Sequence, residues 1–285
     1  MIANLEQRLD EMKRQIDALQ ILVAGRSPWY EDVSLWVAII ALVFSSGTTL
    51  FSYYRMHEQD ILNLRQELRG LLQRLSTLPR ENVENIKKYE ADPAAMSAIG
   101  GFINQENTLL ARQAAEIAGK LPAKSVTAVE YYAVALALQN AYDLEGAGEF
   151  LEKATQFAKD FNTEIAAIRM RANLRFLQGH AEGGRVEYQR ALDIFSKYPG
   201  YDPFTKLCAH VWTELAWANS EASLNGPQRG ALQHVENAER LLAAAMPGPG
   251  VAKLGEQVSQ ARALMTTGAA SPAAGPQWAG APLAN

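Results

Sequence analysis

The sequence contains few of the residues on which covalent and metal chemistry depend. There is one cysteine, Cys208, and there are four histidines among 285 residues. A single cysteine excludes an intramolecular disulfide bond and a thiolate metal cluster. Cys208 and His210 stand two residues apart, so a helix would point them to different sides. No HExxH, GxSxG or Walker sequence occurs. We therefore predict no catalytic, cofactor-binding or metal-binding residues and no enzymatic activity.

An excess of basic residues is also absent. The formal net charge is −4 and the isoelectric point is about 5.7, so the positive field of a nucleic-acid-binding protein is excluded. No cleavable signal peptide is recognisable, because the first 32 residues are charged and the apolar run that follows is too long for one. That apolar run is therefore expected to remain in the mature protein.

Charge is missing altogether from one stretch, Val33 to Tyr54. Its 22 residues contain no Asp, Glu, Lys, Arg or His. As a helix they would rise about 33 Å, enough to cross a hydrocarbon core of about 30 Å. Aromatic residues of the kind that settle at headgroup depth lie near both ends: Trp29, Tyr30, Trp36, Phe51, Tyr53 and Tyr54. This pattern predicts a single transmembrane helix, and the alternative is a buried helix of a globular protein.

Heptad patterns lie on both sides of this run. Residues 1–27 predict an amphipathic helix that forms a coiled coil, lies at the membrane interface or packs on another protein, with apolar positions at Leu5, Leu9, Met12, Ile16, Leu19 and Val23. Residues 55–78 predict a coiled-coil stalk or, alternatively, an amphipathic helix folded onto the following domain; its apolar positions are Ile61, Leu64, Leu68, Leu71, Leu75 and Leu78. Pro79 is expected to end this helix. The span also carries a ridge of small residues, Ala41, Ser45 and Thr49. Together with this ridge, the stalk would give a parallel homo-oligomer.

The segments beyond the stalk differ in composition. Residues 80–122 predict a helical connector, with a short amphipathic helix at 82–89 and a second helix that starts at Asp92 and Pro93. Gly100–Gly101 is a candidate break in the second helix, and the connector would be a degenerate repeat if its helices pair. Residues 246–265 predict a C-terminal capping helix. Residues 266–285 hold no charge and are rich in Ala, Pro and Gly, so we expect a disordered tail in which Trp278 is a candidate anchor for a short binding motif.

Residues 125–245 repeat one pattern three times. The segments 131–157, 168–194 and 215–241 each predict two helices joined by a tight turn. The turn has Gly179 in the second copy and Gly226 in the third, but Tyr142 in the first. Each second helix carries two small residues seven apart with a larger one between them: Ala147, Leu151 and Ala154; Gly184, Tyr188 and Ala191; Ala231, Val235 and Ala238. Such spacing lets the two helices of a hairpin approach, while the larger residue fills the space to the next hairpin.

This pattern resembles the tetratricopeptide repeat (TPR). The second copy is the most similar, because Ala172, Gly179, Gly184, Tyr188 and Ala191 fall on family positions. The copies are spaced 37 and then 47 residues apart, where the family repeats every 34 residues, so we interpret them as divergent repeats with insertions in their connections. The resemblance implies a solenoid of α-hairpins whose concave face is formed by the first helix of each pair.

Nine residues lie on that concave face according to the resemblance: Tyr132, Gln139, Asn140, Arg169, Asn173, Phe176, Thr213, Ser220 and Ser223. Several are polar or basic, and the resemblance therefore implies a peptide groove that binds a carboxylate or a peptide backbone. Ordinary solvation of a helix surface is the alternative explanation.

These features together predict an all-α protein in which a single transmembrane helix and a coiled-coil stalk precede a TPR-like solenoid. The function they favour is a scaffold for protein–protein interaction, anchored in the lipid bilayer through Val33–Tyr54. The alternative is a structural or assembly subunit of a membrane complex, in which the span and the coiled coils drive oligomerisation. The basic residues flanking the span are too evenly divided to predict which side of the membrane holds the repeats.

Overall fold

A computed structural model describes residues 2–23, 33–224 and 229–267. Within these helices, the side chains at 2–7, 9, 22–23, 33–35, 47–54, 57 and 267 lie outside the description. The tail with Trp278, the aromatic residues Trp29 and Tyr30, and the third turn with Gly226 also lie outside it. The described residues form helices and no strand, so the protein is all-α there. The α-helices are α1 (Ile2–Val23), α2 (Val33–Lys88), α3 (Pro93–Lys120), α4 (Ala128–Asn140), α5 (Leu144–Phe157), α6 (Phe161–Leu177), α7 (Ala181–Asp193), α8 (Pro203–Ala222), α9 (Arg229–Ala243) and α10 (Pro249–Thr267).

The chain divides into two compact units, Met1–Leu62 and Asn63–Asn285. In the first unit, α1 matches the predicted N-terminal helix and meets α2 where the Ser46 hydroxyl lies 3.5 Å from the sulfur of Met12. Among the helices of the described residues, none combines the length and the apolar character that crossing a membrane requires. The side chains at 33–35 and 47–54 of the predicted span are not among those described.

Pro79 does not end α2, and the prediction that it would was wrong. The helix continues for nine residues beyond it, to Lys88. An interior proline typically costs about 3 kcal/mol, because it removes one helical hydrogen bond and crowds the preceding turn. Arg74 bridges this site: it donates to the Thr77 hydroxyl at 3.2 Å and to Glu81 Oε1 at 2.5 Å. These contacts join the turns on either side of the proline.

The leucines of the predicted stalk are used within the chain. Leu68 and Leu78 are only 1% and 3% exposed. The leucines between them are half-buried. The guanidinium of Arg74 pairs with Glu106 of α3 at 2.7 Å. A seam that is already covered by its own chain does not present the stripe that a coiled coil requires. The structure therefore favours the alternative interpretation, an amphipathic helix folded onto the domain.

The third helix is a single uninterrupted element. Asp92 caps it by accepting a hydrogen bond from the Ala95 amide at 3.0 Å, and Pro93 occupies its first turn, as predicted. Gly100 and Gly101 do not break it. Its buried residues all lie in its last ten positions: Ala111, Ala114, Ile117 and Ala118. The first half of α3 therefore contributes little to the core.

Three helical hairpins follow, and they confirm the predicted packing pattern. They are α4 with α5, α6 with α7, and α8 with α9. All nine positions of the seven-residue pattern are buried in the second helices: Ala147, Leu151, Ala154, Gly184, Tyr188, Ala191, Ala231, Val235 and Ala238. Gly179 adopts a φ of 79° in the second turn, and Tyr142 adopts a φ of 61° in the first. Tyr142 thus holds a left-handed conformation that glycine adopts at lower cost.

The long connection between the second and third hairpins forms part of the core. A 3-10 helix, Ile194–Lys197, follows α7, and aromatic residues within and after it pack around Phe161 at the start of α6. Ring centroids lie 5.3 Å from Phe161 for Phe195, 5.7 Å for Tyr198 and 5.0 Å for Tyr201. This aromatic cluster explains the spacing of 47 residues between these copies. Helix α10 then packs on α8 and α9, where the capping helix was predicted.

Candidate binding site on the first helices of the hairpins

The nine predicted groove residues differ widely in exposure. Asn140 and Ser223 are exposed, and Tyr132 and Gln139 are half-buried. The other five are buried: Arg169, Asn173, Phe176, Thr213 and Ser220. The site is therefore a largely enclosed set of polar groups rather than an open row of side chains.

Polar residues of this set join the three hairpins through consecutive hydrogen bonds. Gln139 of α4 donates through Nε2 to Asn173 Oδ1 of α6 at 3.3 Å. Asn173 in turn donates through Nδ2 to the Ser220 hydroxyl of α8 at 3.2 Å. That hydroxyl also lies 2.8 Å from the hydroxyl of Tyr188, which donates to the backbone oxygen of Ala216 at 3.1 Å. The structure thus brings together residues that the sequence places in three separate copies.

Two nitrogens of Arg169 lack hydrogen-bond partners in this site. Arg169 is 4% exposed, and its Nε and Nη1 atoms have no hydrogen-bond partner among the described residues. Burial lowers the pKa of its guanidinium, while the nearby hydroxyls of Tyr132 and Tyr188 act in the opposite direction. A buried cation without a carboxylate partner is unfavourable, because desolvation is not offset by an ion pair. The Oε1 atom of Gln139 is likewise buried without a partner.

Two of the nine residues lie in the interior of the hairpin stack. Phe176 packs against Tyr188 with ring centroids 6.0 Å apart, and it is 4% exposed. Thr213 is fully buried, and its hydroxyl donates to the backbone oxygen of Ala209 at 2.7 Å. Neither side chain offers surface to a peptide. Both are buried where α6 packs against α7 and α8, and the placement of the nine residues on a concave face stays a prediction that rests on the resemblance.

Sequence reasoning missed a second polar cluster, between α8 and α9. Glu214 is 4% exposed, and its Oε2 atom lies 2.7 Å from Nδ1 of His234 and accepts a hydrogen bond from Asn237 at 3.3 Å. Nε2 of His210 lies 3.9 Å from Glu214 Oε1. Burial lowers the pKa of His210, against the raising effect of Glu214. The spacing of four residues between His210 and Glu214 was the available signal, because it places both on one helix face.

This cluster borders an open cavity of about 300 Å³. It is lined by His210, Glu214, Asn237, Arg240, Leu241 and Ala244. The ring of His234 stacks on Trp217 with centroids 4.0 Å apart, which fixes the imidazole against α8. Across the described ranges, no group of three His, Cys, Asp or Glu side chains has the arrangement that holds a metal ion. The contacts of the cluster instead join α8 to α9.

Comparison with known proteins does not place the chain in a family. No protein-family model, no curated protein and no solved structure matches it. The resemblance to the TPR therefore remains a prediction that rests on the residues of the three copies.

Proposed function

We propose that this protein is a membrane-anchored scaffold whose helical repeat domain binds a protein or peptide partner and has no enzymatic activity of its own. The observation that carries the proposal is Arg169, a buried guanidinium with two unpartnered nitrogens near the hydroxyls of Tyr132 and Tyr188. An arrangement that leaves such a group unpaired is unfavourable in the free protein, and a bound acceptor would relieve this cost.

The chemistry of the site favours an acidic segment of the partner as ligand. A carboxylate is the acceptor that matches a guanidinium most strongly, through charge-assisted and often bidentate hydrogen bonds. The unpartnered oxygen of Gln139 would accept a backbone N–H from the same segment. Tyr132 and Asn140 lie on the same helix, α4, at positions where solvent still reaches them. We therefore propose that the partner enters from the α4 side.

The test is binding of the purified full-length protein to an array of peptides, in which each acidic peptide is paired with its Asn or Gln counterpart. We expect selective binding to acidic members and its loss in Arg169→Met. Arg175→Gln is the matched control, because Arg175 lies on the same helix, is exposed, and should leave binding unchanged. Equal binding by the Arg169→Met variant, or equal binding to both members of each pair, would contradict the proposal.

Membrane anchoring through Val33–Tyr54 is the second part of the proposal. It is supported by the uncharged 22-residue run and by large apolar side chains that are exposed within it: Val37 at 60% exposure, Ile40 at 56%, Val43 at 65% and Phe44 at 73%. Exposed apolar surface of this kind is typical of a region that contacts lipid or another apolar partner.

Extraction of cell membranes with alkaline carbonate tests the anchor. We expect the full-length protein to stay with the membrane pellet, and the double variant Ile40→Lys and Val43→Lys to move to the supernatant, because two charges at the centre of a span cost several kcal/mol. Protease protection in intact spheroplasts would then show which side holds the repeats. Release of the unmodified protein by carbonate would contradict the anchor while leaving the peptide site to be judged by its own experiment.

A further inference from the structure

The outer face of α3 is a continuous stripe of exposed residues. Seven positions three, four or one residue apart point within about a third of the helix circumference, given 100° per residue. All seven are exposed: Ala94, Ala98, Gly101, Phe102, Gln105, Leu109 and Arg112. One side of α3 is therefore buried towards the C-terminal end of the helix, whereas the stripe is exposed along its length.

Two large apolar side chains of the stripe have no cover. Phe102 is 71% exposed and Leu109 is 58% exposed. Between the capping residue and Phe102 lie Gly100 and Gly101, and a Cβ at either position would meet no atom within 4 Å. A glycine in a helix interior is less favourable than an alanine. Nothing within the described residues requires Gly101, whereas a helix that packs on the stripe from outside would.

The stripe is divided by size. Its first half has the small residues Ala94, Ala98 and Gly101, and its second half has the larger Phe102, Gln105, Leu109 and Arg112. If two copies of α3 lie antiparallel, with a two-fold axis between positions 101 and 102, each large residue meets a small one. Phe102 then faces Gly101 of the second copy, and Leu109 faces Ala94. A parallel arrangement would instead place large residues against large ones.

The charges at the two ends of α3 are also complementary to each other in an antiparallel pair. Arg112 lies towards the end of the stripe, and Glu90 and Asp92 precede its beginning. Neither Arg112 nor Glu90 forms an ion pair with any residue that the structure describes. The antiparallel arrangement brings Arg112 to the acidic turn of the second copy, whereas a parallel arrangement brings like charges together.

We propose that the outer face of α3 is a self-association surface that pairs with α3 of a second copy in antiparallel orientation. Small residues allow the two backbones to approach closely, the rings and leucines fill the space beside them, and the ion pairs at both ends fix the orientation. The inference is independent of the peptide site at Arg169, which lies in the hairpins that follow.

Disulfide cross-linking tests the pairing. Single cysteines are placed in the full-length protein in a Cys208→Ala background, purified in mild detergent and oxidised. We expect Gly101→Cys alone to form a covalent dimer, because position 101 lies beside the two-fold axis. Ala94→Cys alone and Leu109→Cys alone should give at most a tenth of that yield, whereas their mixture should give the 94–109 heterodimer. Efficient dimers from each single variant would indicate parallel pairing, and absence of all dimers a monomer; either result overturns the proposal.

Charge reversal gives a second, non-covalent readout in sedimentation velocity. We expect Arg112→Glu to reduce the dimer fraction at least several-fold, and the double variant Arg112→Glu with Glu90→Arg to restore it, because Asp92 keeps its capping hydrogen bond with the Ala95 amide. Helical content measured by circular dichroism serves as the folding control for each variant. Failure of the double variant to recover dimers, with the fold intact, would overturn the antiparallel orientation.

Discussion

The ring of Phe176 occupies the space into which any side chain at Gly184 would extend. A Cβ at position 184 would lie 2.5 Å from Cε2 of Phe176 and 3.0 Å from the backbone oxygen of Ala172. The backbone oxygen cannot move away without disturbing α6. Contact between the second pair of helices therefore depends on the absence of a side chain at this position.

Gly184→Ala should destabilise the protein by about 1–3 kcal/mol, because overpacking forces the ring and the backbone apart. Gly183→Ala is the matched control: a Cβ at position 183 would meet nothing within 4 Å, so this variant should be neutral or more stable by up to about 1 kcal/mol. Urea unfolding followed by far-ultraviolet circular dichroism measures both. Equal effects of the two substitutions would mean that the close contact with Phe176 is not the reason for Gly184.

Arg169→Met should raise stability while it removes peptide binding. The substitution replaces a buried cation, whose Nε and Nη1 lack partners, with an apolar side chain of similar length. Relief of the desolvation cost predicts a gain of about 1–3 kcal/mol in the free energy of unfolding. Arg175→Gln, on the exposed side of α6, should change it by less than about 0.5 kcal/mol. A marked loss of stability in Arg169→Met would show that the guanidinium supports the fold instead.

Two carboxylates that contact Arg185 should differ sharply in their contribution to stability. Glu221 bonds the guanidinium at 2.7 and 2.8 Å and also accepts a hydrogen bond from the indole of Trp217 at 3.1 Å. Its side chain is 10% exposed, whereas that of Glu182, the other partner, is 87% exposed.

We expect Glu221→Gln to cost about 1–3 kcal/mol, because it leaves part of a mostly buried pair unsatisfied. Glu182→Gln should cost less than about 1 kcal/mol, as is usual for a surface ion pair. Thermal unfolding at matched salt concentration measures the difference. Raising the salt concentration should shrink the effect of Glu182→Gln more than that of Glu221→Gln, since solvent ions screen the exposed pair. Comparable losses for both variants would contradict this assignment.

Stability should fall as the solution is acidified below the ordinary histidine pKa of about 6.5. Burial lowers the pKa of His210 in the folded protein, so the unfolded chain takes up this proton at higher pH than the native state. The contribution of His210 is therefore complete above pH 6.5 and is lost as the pH falls towards its folded pKa.

The difference between wild type and His210→Asn, measured by urea unfolding at pH 7.5 and at pH 5.5, isolates this group from the other titrating residues. Wild type should lose more stability between the two pH values than the variant does. A larger loss in His210→Asn would mean that Glu214, at 3.9 Å, stabilises the charged imidazole more than burial disfavours it.

Local sequence signals predicted the helices better than they predicted their partners. The start of α3 followed from Asp92 and Pro93, and the packing of the second helices followed from small residues seven apart. The heptad at 61–78 was ambiguous, because a leucine stripe has the same spacing whether it faces another chain or, as Leu68 does, its own chain. Pro79 misled the prediction of the α2 end, since the contacts of Arg74 on both sides of it are not visible in the local sequence.

The candidate site could be predicted only in part. The repeat pattern pointed to Gln139, Asn173 and Ser220, which the structure joins through hydrogen bonds. It could not show that Arg169 is enclosed without a partner, because burial depends on the distance between neighbouring hairpins. The cluster at Glu214 was missed for a related reason: His234 lies twenty residues away and reaches it only after α9 folds back on α8.

The hydrogen bonds that run from Gln139 through Asn173 to Ser220 bear on how the domain unfolds. In repeat proteins each repeat ordinarily contacts only its neighbours, so the terminal repeats can unfold while the central repeats stay folded. Here each of the three hairpins contributes one side chain to a continuous series of hydrogen bonds. Unfolding of one hairpin therefore leaves polar groups of the next hairpin without their partners. We therefore expect the three hairpins to melt in a single cooperative transition. Amide hydrogens of α4, α6 and α8 should then exchange at a common rate near the midpoint of denaturation.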